Sequence, residues 1–282
     1  MSGELLPQLE TQLTQLSRME KANLTFSNEI KKKLAERVPE LSELPLIYIG
    51  SGGDVLTPLL ISRSHKIILI DRHPFLTKDG SKHENSETYP SVEEMLKDVR
   101  PANERAGVLT IWSSVRPAVQ MLSHLEKIGV SREQVEIQTD GKNADLRIQL
   151  GEQVVEVKFR SDRVNSLSEL ESLLTELGVE GEYGLMAKGG AGEAVQTIIT
   201  QAQETVDHSP RYFVVDDPRS YVLQTLTPQQ EEALYPGYEL TETKSMEDAG
   251  WGYSYGEEPD SPTAAQEDAF DYQTRAVVGV LK

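Results

Sequence analysis

The spacing of apolar residues changes period at Leu46. Before it, Leu9, Leu13, Leu16 and Met19 fall at three- and four-residue steps, as do Ile30, Leu34, Val38 and Leu41. Each set forms one apolar stripe on a helix, and Pro39 and Pro45 punctuate the end of the second. The pattern predicts a helical cap over residues 1–44. Such a cap could act as a substrate lid or pair two subunits into a homodimer. At Leu46-Ile47-Tyr48-Ile49 the chain switches to a short apolar run closed by Gly50, the pattern of a strand buried on both faces. Asp54 can cap a helix from Val55 to about Ser62, and Lys66-Ile67-Ile68-Leu69-Ile70-Asp71 reads as a second buried strand. Strand, glycine turn, helix and strand make a βαβ unit whose two strands should lie parallel in one sheet.

Farther along, residues 72–90 are polar and broken and predict a loop. Helical patterning returns from about Ser91 and again from Arg116 to Gly129, flanking an apolar piece at Val108–Trp112. Strands are expected at Gln134–Gln138, Asp145–Leu150 and Gln153–Phe159, the last two joined by a Gly151-Glu152 hairpin turn. A helix over Ser166–Leu177, a strand over Glu182–Ala187 and a helix ending near Val206 follow. Then come a strand at Arg211–Asp216, a short helix at Pro228–Ala233 and late strands at Tyr238–Thr243 and Thr274–Leu281. The stretch 247–271 is rich in Gly, Pro, Asp and Glu and carries Trp251, Tyr253 and Tyr255. It predicts a flexible acidic insertion within one domain spanning residues 45–282.

Composition narrows the function classes. With 38% hydrophobic and 26% charged residues, the chain has the make-up of an ordinary globular domain with a sizeable core. No run of about 18 apolar residues occurs, so no membrane span is expected. Glu4 and Glu10 sit where a secretory signal would be basic and then apolar, so the expected location is cytoplasmic. The chain has no cysteine, which excludes disulfides, thiolate zinc sites and cysteine nucleophiles; no metal site is expected. A formal charge of −18 disfavours a nucleic-acid partner, because such proteins grip phosphates with Lys and Arg.

The candidate chemistry centres on Gly50-Ser51-Gly52-Gly53-Asp54. Buried parallel sheets hold ligands outside the carboxyl ends of their strands. Glycines there let backbone approach a ligand, and the following helix offers free N–H groups. About 20 residues on, Asp71 ends the second strand, where a carboxylate can accept both hydroxyls of a ribose. The third glycine of a dinucleotide fingerprint would fall at Val55, so NAD is disfavoured. A cationic cofactor without phosphates suits the acidic groups better.

These residues resemble the class I S-adenosylmethionine-dependent methyltransferases. Leu46–Asp54 is similar to their first motif and Ile67–Asp71 to their second, and the order of later elements matches across roughly residues 40–282. The resemblance implies a Rossmann-like α/β fold with a mostly parallel, seven-stranded sheet and an antiparallel last strand. It implies S-adenosylmethionine as cofactor, contacted by Gly50, Ser51, Gly52, Gly53 and Asp54, with Asp71 on the ribose and Asp162 near the adenine amino group. Lys188 is also expected at the cofactor, and Lys188-Gly189-Gly190, after the fourth strand, falls where the family builds its acceptor site. The implied activity is methyl transfer to an unknown small-molecule or protein acceptor. Tyr48 stands where many members carry an acid, and no Asn-Pro-Pro-Tyr motif follows the fourth strand. His73 and Lys188 lie near the rim, where they could assist a proton transfer.

Two other readings use other features. A non-catalytic binding or scaffold protein could keep the turn and lack an acceptor signature. Asp145 with Glu156-Val157-Lys158 on its hairpin partner resembles the PD-(D/E)xK nucleases, whose two acids hold a divalent metal while the Lys steadies a phosphate. The competing explanation for those charges is a solvated strand face.

Overall fold

The computed structural model describes residues 18–62, 64–75, 87–91, 94, 117–118, 120–126, 128–188, 191–205, 209–216, 228–244 and 275–282. The elements are α1 (Arg18–Ala35), β1 (Leu46–Ile49), α2 (Leu56–Ser62), β2 (Lys66–Asp71) and β3 (Glu87–Tyr89). Helical residues 117–118 and 120–126, here the Pro117 helix, precede a 3-10 turn (Arg132–Gln134). Then come β4 (Val135–Thr139), β5 (Ala144–Leu150), β6 (Gln153–Ser161), α3 (Leu167–Glu176), β7 (Gly184–Lys188) and α4 (Gly192–Thr205). β8 (Tyr212–Asp216), α5 (Pro228–Leu234), β9 (Tyr238–Lys244) and β10 (Arg275–Leu281) complete the set. No helix among the described residues is long and apolar enough to cross a membrane.

The ten strands among the described residues join one sheet in the order β3-β4-β5-β6-β2-β1-β7-β8-β10-β9. This overturns the expected seven-stranded, mostly parallel Rossmann-like sheet of methyltransferase type. Four strand pairs are parallel (β1 with β2 and β7, β2 with β6, β7 with β8), and the other five are antiparallel. The physical reason is the hairpin at Gly151. With φ +60° there, a two-residue turn joins Leu150 to its partner Gln153, so β5 must lie beside β6. β6 bonds to β2 on its other edge, so nothing ends the sheet at β6. β4 and β3 extend it further, and β3 lies inside the stretch expected to be loop.

Burial divides the sheet into two regimes. In the central strands successive residues feed opposite cores. Leu46 and Tyr48 pack with α1, α2 and the Pro117 helix, whereas Ile47 and Ile49 pack with α3 and α4. The same division holds for Ile67 and Leu69 against Ile68 and Ile70. That is why these strands read as unbroken apolar runs. In β4, β5 and β6 only one face is covered. Val135, Ile137, Leu146, Ile148, Val155, Val157 and Phe159 are buried, while Glu136, Gln138, Arg147, Gln149 and Glu156 are exposed. The alternation in these segments is the sequence trace of an antiparallel sheet wet on one side.

On α1, Ile30 and Leu34 are fully buried, and Val38, Leu41 and Leu44 continue the stripe into the following turn. That turn is tied to the sheet by Arg211, whose Nε donates to Glu40 at 3.0 Å and whose Nη1 donates to the Leu281 carbonyl at 3.0 Å. The stripe Leu9, Leu13 and Leu16, the apolar piece 108–112 and the acidic stretch 247–271 lie outside the described residues.

Two glycines in the sheet are required by aromatic neighbours. Gly184 pairs with Tyr212 and Gly279 with Phe213, and in each pair the ring occupies the space where a Cβ on the glycine would lie. Tyr212 is fully buried and cannot swing aside into solvent. We expect Gly184→Ala to lower stability by about 1–3 kcal/mol, from overpacking. Urea unfolding measures it, and an unchanged midpoint would show that the ring shifts freely.

Candidate functional site

The glycine turn is built by β1 running out beside β2. Gly50 and Ser51 both donate their N–H to the Ile70 carbonyl (2.8 and 3.3 Å), and Asp54 N–H donates to the Ser51 carbonyl at 2.9 Å. Gly50, Gly52 and Gly53 have φ of +73°, +59° and +95°, a region that side-chain-bearing residues rarely adopt. Gly53 has a second reason to be glycine. A Cβ there would run into the backbone of Pro117, on the helix that lies over the turn.

Asp71 closes the turn from the side of β2. Its Oδ2 accepts Gly52 N–H at 2.8 Å and its Oδ1 accepts His73 N–H at 3.1 Å. A carboxylate oxygen has two acceptor positions, so each oxygen keeps one open, and the residue is only partly buried. Ser51 is 5% exposed, and its hydroxyl has no hydrogen-bond partner among the described residues. A buried hydroxyl left unpaired costs roughly 1–3 kcal/mol.

Asp54 is occupied differently. Its Oδ1 accepts Thr57 N–H at 3.1 Å and its Oδ2 accepts the Thr57 hydroxyl at 2.6 Å, so it caps α2. His124 Nδ1, on the Pro117 helix, stands 3.6 Å from Asp54 Oδ1, and both side chains are buried. Tyr48, two residues before Gly50, is fully buried in the core on the α1 face.

The remaining residues are placed by register. Asp71 pairs with Ser161, so Asp162 comes one residue beyond, exposed, at the same edge of the sheet. Lys188 is the last residue of β7, which pairs with β1 through Ile49 and Ala187. The carboxyl ends of β1, β2, β6 and β7 therefore bring Gly50–Asp54, Asp71, Asp162 and Lys188 to one edge. The strand order reverses between β1 and β7, the switch point at which open sheets bind ligands. Gly189, Gly190, Trp251, Tyr253 and Tyr255 lie outside the described residues. His73 is exposed and meets Asp71 through its backbone.

The same edge has a wall the sequence did not announce. The β4–β5 loop is held by Asp140 Oδ1, which accepts the N–H groups of Lys142 and Asn143 (2.7 and 2.6 Å). Asn143 Oδ1 in turn accepts Ser161 N–H at 3.0 Å, and Phe75 N–H donates to the Lys142 carbonyl at 3.0 Å. This loop joins the segments that follow β2 and β6. Pro117, Gln120, His124 and Thr57 also belong to the site. Only His124 carried a signal, as a polar residue among the apolar positions Met121, Leu122 and Leu125.

Asp145, Glu156 and Lys158 share the solvated face of β5 and β6. Asp145 sits opposite Lys158, and Glu156 sits opposite Arg147. Asp145 accepts from Arg160 Nη1 at 2.6 Å and from Lys158 Nζ at 3.2 Å. Both its oxygens and the lysine are thus engaged in ion pairs, and among the described residues no three His, Asp or Glu side chains gather as a metal site. Partial burial works to raise the Asp145 pKa, but Arg160 and Lys158 outweigh it and hold the carboxyl below its ordinary value. A lowered folded-state pKa contributes stability above the unfolded value, lost as pH falls through the folded one. We expect Asp145→Asn to cost less than about 1 kcal/mol at neutral pH, because the pair is partly exposed. The gap to wild type should close as pH falls below about 4. Thermal melts of both proteins across that range check it; a gap independent of pH would contradict the ion-pair account.

Comparison with known proteins adds no family: no protein-family model matches the chain, and no curated protein matches it.

Proposed function

We propose that the chain is an S-adenosylmethionine-dependent methyltransferase whose cofactor binds over Gly50–Asp54. The observation that carries the reading is Asp71, a partly buried carboxylate bonded to Gly52 N–H at 2.8 Å and retaining acceptor positions on both oxygens. Beside it, Gly50 and Gly52 carry no side chain, which fits a ligand that must approach the backbone closely. The resemblance of Leu46–Asp54 and Ile67–Asp71 to the methyltransferase motifs specifies which nucleoside.

When bound, the cofactor would supply an electrophilic methyl group on a sulfonium. The chain's own part is positioning. Asp71 would take the ribose hydroxyls, Asp162 would stand at the base end, and Asp54 would keep α2 rigid behind the turn. The edge beside Lys188 would admit the acceptor, a small molecule or a protein, and His73 or solvent would take any proton released. The acidic surface argues against a nucleic-acid acceptor. The cytoplasmic setting expected from the sequence goes with this proposal.

The test is titration calorimetry with S-adenosylmethionine and S-adenosylhomocysteine. Wild type should bind both. Asp71→Asn, which keeps an acceptor oxygen for Gly52 N–H, should weaken both roughly tenfold to a hundredfold, as expected for charged hydrogen bonds to a ribose. No binding by wild type at high protein concentration would refute the proposal.

A further inference from the structure

We infer that Gln120 recognises the amino-acid end of the adenosyl ligand, an inference that rests on the reading just given. The Pro117 helix meets the glycine turn at three points on one of its faces. Pro117 backbone fills the space beside Gly53, Gln120 lies over Gly52, and His124 lies against Asp54. Positions three and four apart share a helix face, so the three contacts form one seam. Within that seam the polar groups differ in what they have left to offer. Pro117 has no N–H, and His124 is buried beside the cap. Gln120 is half-buried, with its carboxamide oxygen facing Gly52.

Its position is set by Gly52. A Cβ on Gly52 would lie 3.8 Å from Gln120 Oε1, an ordinary contact distance. The Gly52 N–H points instead to Asp71. Asp71 and Gln120 thus approach the same residue from two directions, one along its N–H and one along its missing side chain. A ligand whose ribose meets Asp71 must carry its sulfur-bearing arm away from that carboxylate, across Gly52. The arm ends in an ammonium and a carboxylate. A carboxamide serves both, with Oε1 accepting from the ammonium and Nε2 donating to the carboxylate.

Calorimetry with two ligands separates recognition from support. S-adenosylhomocysteine carries the amino-acid end; 5′-methylthioadenosine has the same adenosine and thioether without it. Gln120→Met, which keeps the side chain's length and removes its hydrogen bonds, should weaken S-adenosylhomocysteine about tenfold and leave methylthioadenosine unchanged, the size expected of a hydrogen bond to a charged group. Equal weakening of both ligands would show that Gln120 only supports the turn, and no weakening would place it outside the site; either result overturns the inference. If wild type binds neither ligand, the adenosyl reading itself fails and the inference falls with it.

Discussion

The bond from Gly52 N–H to Asp71, 2.8 Å long, is where the two halves of the βαβ unit close on each other. Gly52 follows β1 and Asp71 ends β2, so this bond fixes the turn at the mouth of the parallel sheet. It can form because Gly50, Gly52 and Gly53 all take positive φ, which bends the chain back toward β2 before α2 begins. Asp54 then holds the start of α2, and the Pro117 helix packs on the turn through a gap only glycine leaves open. Each support acts on backbone, so the site's shape is set before any ligand arrives. Such preorganisation reduces the ordering cost of binding.

The sheet around this turn is built in two ways that serve different ends. Its central strands are buried on both faces, giving a rigid platform for the carboxyl edge. Strands β4, β5 and β6 are covered on one face only, and their exposed face carries Glu136, Arg147, Glu156, Asp145 and Lys158 as a mixed set of charges. Mixed charges on an open sheet face keep it wet and disfavour pairing with another sheet. The β3-β4-β5 extension also delivers the Asp140–Asn143 loop to the ligand edge, where it joins the segments after β2 and β6. A strand addition at the sheet's flank thereby contributes to the site.

Much of the local structure was legible because period and burial agree. Leu46–Ile49 and Ile67–Ile70 are apolar runs and prove to be buried strand residues, and Ser166 caps the helix over Leu167–Glu176 by accepting Glu169 N–H. The sheet as a whole was not legible. Residues 135–161 alternate like any half-covered strands, and nothing in that alternation says which edge they join. The answer lies in the parallel pairing of β6 with β2, a contact between residues about 90 apart in the chain, beyond the reach of periodicity. β3 was missed because three residues, Glu87-Thr88-Tyr89, are too short a run to show a period. The glycine turn and Asp71 could be paired from their spacing, but Gln120 could not. Its role depends on how the Pro117 helix crosses the turn, and only His124, polar on an apolar face, hinted that this helix meets something charged.

The central claim is that a ligand engages the Asp71–Gly52 closure itself. Backbone amide resonances of Gly52 and His73, the two donors to Asp71, report on it directly. Adding S-adenosylhomocysteine should shift both resonances and slow solvent exchange at Gly52, while amides on the open face, such as Arg147 and Glu156, stay unmoved. Saturating ligand that leaves Gly52 and His73 unshifted, or that moves the open face instead, would contradict the account.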